Sequence, residues 1–297
     1  MPSSITRRKF LKTSLLTGAG LALPLNRSIL AGQSESITKS RVVLIRHKDL
    51  FTEQGLPRAD VVQQMLDEAL IALTGHKDIQ SAWRSIVKPD DIVGLKSNVW
   101  RPLPTPAALE QAIRKRVLQA GVKKFNFAID DRQVLRNPVF KKATALINAR
   151  PMRTHAWAGV GSCLKNYIMF VPKPSDYHPD ACADLAGIWK LPIVRGKTRL
   201  NVLVMFTPLF HGIGPHHFNP KFTWRYNGLI VGFDPVAVDS IGVRIIQAKR
   251  KLYFGEDRPI NPPPKHIFLA ETRHKLGVAD LNKIELTILG WQENLLL

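Results

Sequence analysis

Short apolar runs and segments with helical spacing alternate along most of this chain. Six runs rich in apolar residues predict β-strands: 41–45, 91–96, 124–129, 200–206, 228–232 and 283–289. Spacing and boundary residues predict six helices: 59–73, 106–120, 138–147, 180–191, 235–250 and 265–274. Strands that alternate with helices and lack polar alternation are typical of an α/β fold. We therefore expect a mostly parallel central sheet with helices on both faces, in a single domain over residues 41–297.

Capping residues indicate where several of these helices begin and end. Thr105 is expected to cap a helix whose first residue is Pro106, and Gly121 is expected to end it. Asp234 followed by Pro235 predicts the start of the long helix near the C-terminus. These signals place the intervening polar residues in the loops that follow the strands.

The first 31 residues have the features of a twin-arginine export signal. Arg7, Arg8 and the Lys-Phe-Leu-Lys that follows them match the consensus, and a short apolar run broken by two glycines comes next. A membrane span needs about 20 apolar residues, so we expect no stable span after cleavage. The signal predicts the twin-arginine translocase as a partner and a periplasmic or otherwise extracytoplasmic location. The alternative is a chance arginine pair in a basic tail.

The net charge of +20 favours anionic partners. Five positive charges and no acidic residue lie in residues 1–31, so the remainder of the chain has a net charge of +15. The basic residues are spread along the chain without an arginine-rich block, and export also argues against a nucleic-acid partner. We therefore expect an anionic small molecule and no nucleic acid.

The cysteine count limits the cofactors. Cys163 and Cys182 are the only two in the chain, so no four-cysteine iron–sulfur cluster is expected within it. The sequence leaves open whether the two form a disulfide.

Polar residues at the predicted strand exits indicate one site. In parallel sheets, ligands bind beyond the carboxyl ends of the strands. Residues with unusual chemistry lie at five expected strand exits: Lys96 and Asn98, Asp130 and Asp131, Arg153 and His155, the loop at His211, and Asp234. The stretch 150–167 places cations, an imidazole and an amide between apolar residues, and residues 159–170 are expected to begin a helix within it.

The candidate catalytic residues are His155, Lys165 and Asp239. An imidazole titrates near neutral pH and suits general acid–base catalysis. Asp239 lies inside an apolar helix, so it must be paired or protonated, and pairing with Lys165, Arg153 or Lys96 would explain it. The candidate ligand-binding residues are Lys96, Asn98, Arg153 and Asn166.

A divalent metal is a candidate cofactor. The candidate metal ligands are His211, His216, His217 and Asp130. Imidazole nitrogen binds transition metals and carboxylate oxygen binds hard cations. The histidine spacing fits no closed zinc pattern, and an aspartate pair after a strand is also common in turns.

Four segments together resemble the domain of unknown function 362 family: Lys96–Asn98, Pro151–His155, Ser162–Tyr167 and Gly228–Gly242. The resemblance extends over about residues 42–250. Members of the family are similar to this chain in three features. They have lysine and asparagine where a strand ends, a leucine-lysine-asparagine segment, and an Asp-Pro-x-Ala-x-Asp sequence where a helix begins. Here Arg153 stands where the family more often has lysine, and the ferredoxin-like cysteines of some relatives are missing. The resemblance implies a fold and a site but no reaction.

Two functions fit these observations. The first is an exported protein whose cationic site, at the carboxyl ends of the strands, binds or acts on an anionic small molecule. The second is a non-enzymatic exported protein that binds a ligand, a metal or a partner. No nucleophile elbow, phosphate loop or dinucleotide fingerprint occurs in the chain, so the sequence leaves open whether it is an enzyme.

Overall fold

The computed structural model describes residues 39–212, 214 and 217–297. The predicted export signal at residues 1–31 and His216 lie outside the described residues. The strands are β1 Ser40–Arg46, β2 Val93–Lys96, β3 Phe127–Asp130, β4 Ala145–His155, β5 Gly159–Gly161, β6 Thr198–Leu209, β7 Gly228–Gly232 and β8 Ile284–Gly290. The helices are α1 Ala59–Thr74, α2 Ile79–Ile86, α3 Ala107–Gln119, α4 Pro138–Lys142, α5 Cys163–Asn166, α6 Pro179–Cys182, α7 Pro235–Phe254 and α8 Lys265–Thr272.

The described strands form one mixed sheet. Their order is β3-β2-β4-β6-β7-β1-β8, and β5 folds back antiparallel on the end of β4. The α/β prediction is confirmed, but β7 runs antiparallel to both β6 and β1. The link from β6 to β7 contains no α-helix among its described residues, and antiparallel neighbours need no crossover helix.

The strand directions determine which loops share an edge. The pairs β3–β2, β2–β4, β4–β6 and β1–β8 are parallel, so those strands end at one edge of the sheet. Because β7 runs the other way, Asp234 lies at the opposite edge, and its expected place at the common rim is wrong. There Asp234 accepts hydrogen bonds from the amides of Val236 and Ala237 at 2.8 and 3.2 Å, which confirms it as the cap of α7.

Each face of the sheet has its own apolar core. In β1, Val42 and Leu44 join one core, and Val43 and Ile45 join the other. Helices α1, α2 and α3 cover the second face, and α7 covers the first. Full burial of one such aliphatic side chain contributes about 1.5–3 kcal/mol. Period-two alternation thus fixes which side of each strand meets which helix. No helix in the described part of the chain is long and apolar enough to cross a membrane.

Thr105 stabilises the loop after β2 and does not cap a helix. Helix α3 begins at Ala107, and Thr105 makes no capping bond to it. Its hydroxyl donates to the carbonyl of Ala149 at 3.1 Å and accepts from the amide of Asn98 at 3.0 Å. The predicted cap is therefore wrong, and Thr105 ties the loop after β2 to β4.

The helix predicted at 138–147 is wrong in its second half. Helix α4 ends at Lys142, and β4 begins at Ala145. All residues of β4 are buried, because β2 and β6 flank it and both faces are covered. A short run of apolar residues is compatible with a buried strand as well as with a helix. Here the segment is a strand because it pairs with β2 on one side and β6 on the other.

The helix predicted at 180–191 is also wrong, because α6 ends at Cys182 and is not a regular helix at Asp180 and Ala181. Asp180, Ala181 and Cys182 have left-handed φ values of 51°, 55° and 61°. A 3-10 turn at Leu185–Lys190 follows them. The helix expected within 159–170 is shorter than predicted, because α5 follows strand β5 and continues only as a 3-10 turn at Tyr167–Phe170.

Candidate functional site

Strand β4 carries three ionisable side chains near its pairing with the short strand β5. Arg153 pairs with Gly161 and His155 with Gly159 in the antiparallel register. Arg150, Arg153 and His155 are 4%, 3% and 6% exposed. Two guanidinium groups and an imidazole are thus held away from water at the carboxyl end of a central strand. Burial of charge away from water is costly.

Asp239 fixes the start of helix α5. Its carboxylate accepts the hydroxyl of Ser162 at 2.6 Å and the amides of Cys163 and Leu164 at 2.8 Å each. Burial raises the pKa of Asp239 to about 6, and these donors limit the rise. The sequence suggested a lysine or arginine partner for this carboxylate. The structure instead shows backbone and hydroxyl donors, which gives Asp239 the role of an anchor for α5.

A chain of buried asparagines fixes the other end of α5. The amide nitrogen of Asn166 donates to Asn148 at 2.8 Å, and that of Asn148 donates to Asn201 at 3.0 Å. Asn201 in turn donates to the carbonyl of Phe233 at 3.0 Å. Asn166 therefore holds α5 against β4 and β6, and Lys165 lies between two anchored ends.

Lys96 and Asp131 form a buried ion pair at 2.5 Å. The ammonium group also donates to the carbonyl of Ser97 at 2.8 Å and to Asn166 at 3.4 Å, so its three hydrogens have partners. Burial lowers the pKa of Lys96 to about 8, although Asp131 opposes this shift. Burial alone would raise the pKa of Asp131, but Lys96 and the amide of Val99 together lower it. Lys96 thus acts within the protein as the partner of Asp131.

Arg153 is only partly satisfied. Its Nη1 atom donates to Asn98 at 3.1 Å, and its guanidinium lies 4.4 Å from the ring centre of Trp100. Its Nε atom is buried without a hydrogen-bond partner among the described residues. Burial, and then the positive charge of Arg150, hold the pKa of Arg153 well below its usual value.

Arg150 is the electrostatic centre of the site and was not among the predicted site residues. It makes no hydrogen bond to a described residue, and its Nε atom is buried. Burial lowers the pKa of Arg150 to about 10, while Asp131 and Asp239 oppose the shift. Its charge in turn lowers the pKa values of five neighbouring cationic or imidazole groups: Lys96, Arg153, His155, Lys165 and His266.

Lys165 and His155 lie close enough to influence each other. Burial lowers the pKa of Lys165 to about 8, and its Nζ atom is 3.5 Å from Sγ of Cys182. Cys163 and Cys182 are free thiols. Burial, then the charges of Lys165 and the two arginines, strongly lower the pKa of His155, so its ring is neutral. The Nδ1 atom accepts the amide of Trp157 at 3.2 Å, so the ring hydrogen is on Nε2.

His266 in α8 also belongs to this site, and no pattern in the sequence pointed to it. It is 0% exposed, and neither ring nitrogen has a partner among the described residues. Burial, then Lys165 and Arg150, lower the pKa of His266 to about 3. A lone histidine near a helix start is ordinary in sequence, and only the packing of α8 reveals its neighbours.

The comparison with protein families identifies one part of the chain. Residues 122–244 match the family described as Domain of unknown function (DUF362). This segment belongs to the DUF362 family. No curated protein and no solved structure matches the chain significantly. The DUF362 segment contains Asp131, β4, α5 and Asp239, whereas Lys96, Asn98 and His266 lie outside it.

The charges gathered around the DUF362 segment do not balance. The cations are Lys96, Arg150, Arg153 and Lys165, and the carboxylates among them are those of Asp131 and Asp239. Among the described residues, only Lys96 of these four cations forms an ion pair. Both carboxylates accept hydrogen bonds from their own donors. Two positive charges are therefore in excess within a buried region.

The predicted metal ligands that the structure describes do not form one group. Both oxygens of Asp130 accept hydrogen bonds, from the amide of Gln133 at 2.9 Å and from Asn137 at 3.0 Å. Nδ1 of His211 lies 3.1 Å from a guanidinium nitrogen of Arg250. His211 follows β6, and two strands separate β6 from β3, at whose end Asp130 lies. His211 and His217 line a cavity of about 480 Å³ that Thr154 of β4 also lines. Among the described residues, no group of three or more His, Cys, Asp or Glu side chains is arranged to hold a metal ion.

Proposed function

We propose that this protein binds a small anionic molecule at the Arg150 cluster, which comprises Arg150, Arg153, His155, Lys165 and His266. The single observation that supports the proposal most strongly is the burial of three cations without an ion-pair partner among the described residues. Desolvating an unpaired charge costs several kcal/mol, so folded proteins pair such charges. An anionic ligand would supply the missing partner.

The donors of the cluster suit an oxyanion. A guanidinium group presents a planar fork that matches carboxylate or phosphate oxygens, and Lys165 adds a point charge. Neutral His155 offers an Nε2 hydrogen, because its Nδ1 already accepts the amide of Trp157. A second proton on His155 would place another charge among cations. This favours a hydrogen-bonding role for His155 over the general-base role expected from the sequence.

We propose that this binding takes place outside the cytoplasm, because residues 1–31 have the features of a twin-arginine export signal. The twin-arginine route transports folded proteins, so the cluster would assemble before export. The anchors of α5 are consistent with that order, because Asp239 and the asparagine chain hold Lys165 through internal hydrogen bonds.

An enzyme that acts on the same anion is the second candidate. Lys165 favours it, because an amine with a pKa of about 8 exchanges protons near neutral pH. Replacing Lys165 with Arg keeps the charge and removes this proton exchange. Recovery of the added anion unchanged after incubation with the wild-type protein would favour binding without turnover.

The proposal is tested by thermal unfolding in the presence of anions. Dialysed protein is heated in chloride, phosphate, sulfate and succinate at one ionic strength, for wild type, Arg153→Met and the control Arg195→Met. Arg195 is exposed and precedes the amino end of β6, away from the cluster.

At least one anion should raise the wild-type and control midpoints but not that of Arg153→Met. A ligand at 100 times its Kd stabilises by about 2.7 kcal/mol. Equal responses in wild type and Arg153→Met, or no response to any of these anions, would contradict the proposal.

A further inference from the structure

We infer that the anion held by the Arg150 cluster is a compact tetrahedral dianion of the sulfate and phosphate class. The inference rests on the proposed function and specifies the charge and shape of its ligand. Three features of the described residues support it: the size of the charge excess, the close packing around Arg150, and the unpartnered donors.

The charge excess selects a dianion. Four cations and two carboxylates occupy the buried region, and the carboxylates of Asp131 and Asp239 are fully engaged by their own donors. A monoanion would leave one buried cation unmatched, whereas a dianion brings the region to neutrality. Because an unmatched buried charge costs several kcal/mol, the preference for two charges should be large.

The close packing around Arg150 favours a compact ligand. A β-carbon on Gly161 would stand 2.8 Å from Nη2 of Arg150 and 3.4 Å from its Cζ. The same point is 3.4 Å from Cγ of Arg153, so the two arginine side chains meet beside one glycine. Since Arg150, Arg153 and Lys165 are at most 4% exposed, there is little room for a long molecule with separated charges. A single tetrahedral group carries two charges without a connecting chain, so it suits these enclosed side chains.

The unpartnered donors also favour four oxygens over two. The Nε atoms of Arg150 and Arg153, and the one N–H of the neutral His266 ring, are buried donors without partners among the described residues. Buried polar atoms without partners are rare in folded proteins and need an explanation such as a bound ion. These groups come from β4 and from α8, so they approach from different sides. A tetrahedral oxyanion accepts hydrogen bonds from many directions, whereas the acceptor sites of a carboxylate lie near one plane.

Calorimetric titration of the dialysed protein at pH 7 separates charge from shape. Sulfate and methanesulfonate share a tetrahedral sulfur but differ by one charge, and succinate is a dianion of extended shape. Inorganic phosphate and glycerol 1-phosphate are titrated as well. Sulfate or phosphate should bind at least tenfold more tightly than methanesulfonate and succinate. If glycerol 1-phosphate binds as well as inorganic phosphate, the ligand is the phosphate end of an ester, and if it does not bind, the ligand is the free ion. Either result supports the inference.

Variants connect the selectivity to the cluster. Arg150→Met removes one positive charge and should reduce the preference for sulfate over methanesulfonate by tenfold or more, and Lys165→Met serves the same purpose if that variant fails to fold. A preference below tenfold in the wild-type protein, or tighter binding of succinate, would overturn the inference and leave the proposed function standing. Binding of none of the five probes would overturn both.

Discussion

The Nη2 atom of Arg150 lies 2.8 Å from the point where a β-carbon on Gly161 would stand. Gly161 is in β5, which pairs antiparallel with the end of β4. The absence of a side chain at this position therefore leaves room for the guanidinium group. A glycine here is explained by close approach, since its φ is not in the left-handed region.

The substitution Gly161→Ala should weaken anion binding without unfolding the protein. The new methyl group would displace the end of the Arg150 side chain, which is flexible, so we expect about a tenfold loss of sulfate affinity, or about 1.4 kcal/mol. Gly187→Ala is the control, because its β-carbon would meet no atom closer than 3.8 Å. Calorimetry on both variants checks this, and unchanged affinity in Gly161→Ala would refute the proposed position of Arg150 in the site.

The substitution Asp239→Ala should destabilise the protein strongly. It leaves the hydroxyl of Ser162 and the amides of Cys163 and Leu164 unpaired in the core, each at a cost of about 1–3 kcal/mol. Asp239→Asn keeps one accepting oxygen and should cost less. Asp90 is exposed, so Asp90→Ala should lie within about 0.5 kcal/mol of wild type. Denaturant unfolding compares the three, and a near-silent Asp239→Ala would argue against the anchoring role.

The pH dependence of stability and of binding should have opposite signs near pH 8. The pKa of Lys165 falls from 10.5 to about 8 on folding, so between these values the unfolded chain binds more protons than the folded one. Stability of the anion-free protein should therefore rise with pH, by at most about 1.4 kcal/mol per pH unit from this group. Affinity for sulfate should fall over the same range as Lys165 loses its charge.

The comparison with Lys165→Met isolates this group. Urea unfolding at pH 7, 8 and 9 should show a smaller increase in the stability of the variant than in that of wild type. Parallel pH curves for the two proteins would mean that Lys165 keeps an ordinary pKa and is not crowded by the arginines.

Export is predicted to depend on Arg7 and Arg8. Replacing both with Lys keeps the charge but removes the consensus pair, so the precursor should accumulate in the cytoplasm. Cell fractionation and immunoblotting measure this, with Arg27→Lys as the matched control outside the consensus. Normal export of the double variant would remove the basis for an extracytoplasmic function.

Local signals in the sequence predicted much of the fold. The apolar runs at β1, β6 and β7 are strands, and Asp234 caps α7 as its position before a proline indicated. Strand β4 was missed because its apolar residues are interrupted by Asn148, Arg150 and Arg153. Such polar residues are unusual in a central strand unless a buried network pairs them, and the sequence does not show that network.

The site was predicted only in part, for a similar reason. The stretch 150–167 was identified from its mixture of charges and apolar residues, yet Arg150 itself resembles any arginine whose aliphatic stem packs on a core. Its importance comes from the lack of a carboxylate paired with it among the described residues, which only the structure shows. His266 lies far along the chain, and only the packing of α8 places it near Lys165 and Arg150.

The central claim is that the charge of Arg150 is unmatched until an anion binds, and the stability of Arg150→Met tests this most directly. Thermal unfolding of wild type, Arg150→Met and the control Arg195→Met is measured with and without saturating sulfate. Without sulfate, Arg150→Met should be at least as stable as wild type, because methionine fills the space and removes a buried charge. With sulfate at 100 times its Kd, wild type and control should gain about 2.7 kcal/mol and exceed the variant. A variant that is less stable without sulfate by about 3 kcal/mol, and that gains as much from sulfate as wild type does, would contradict the account.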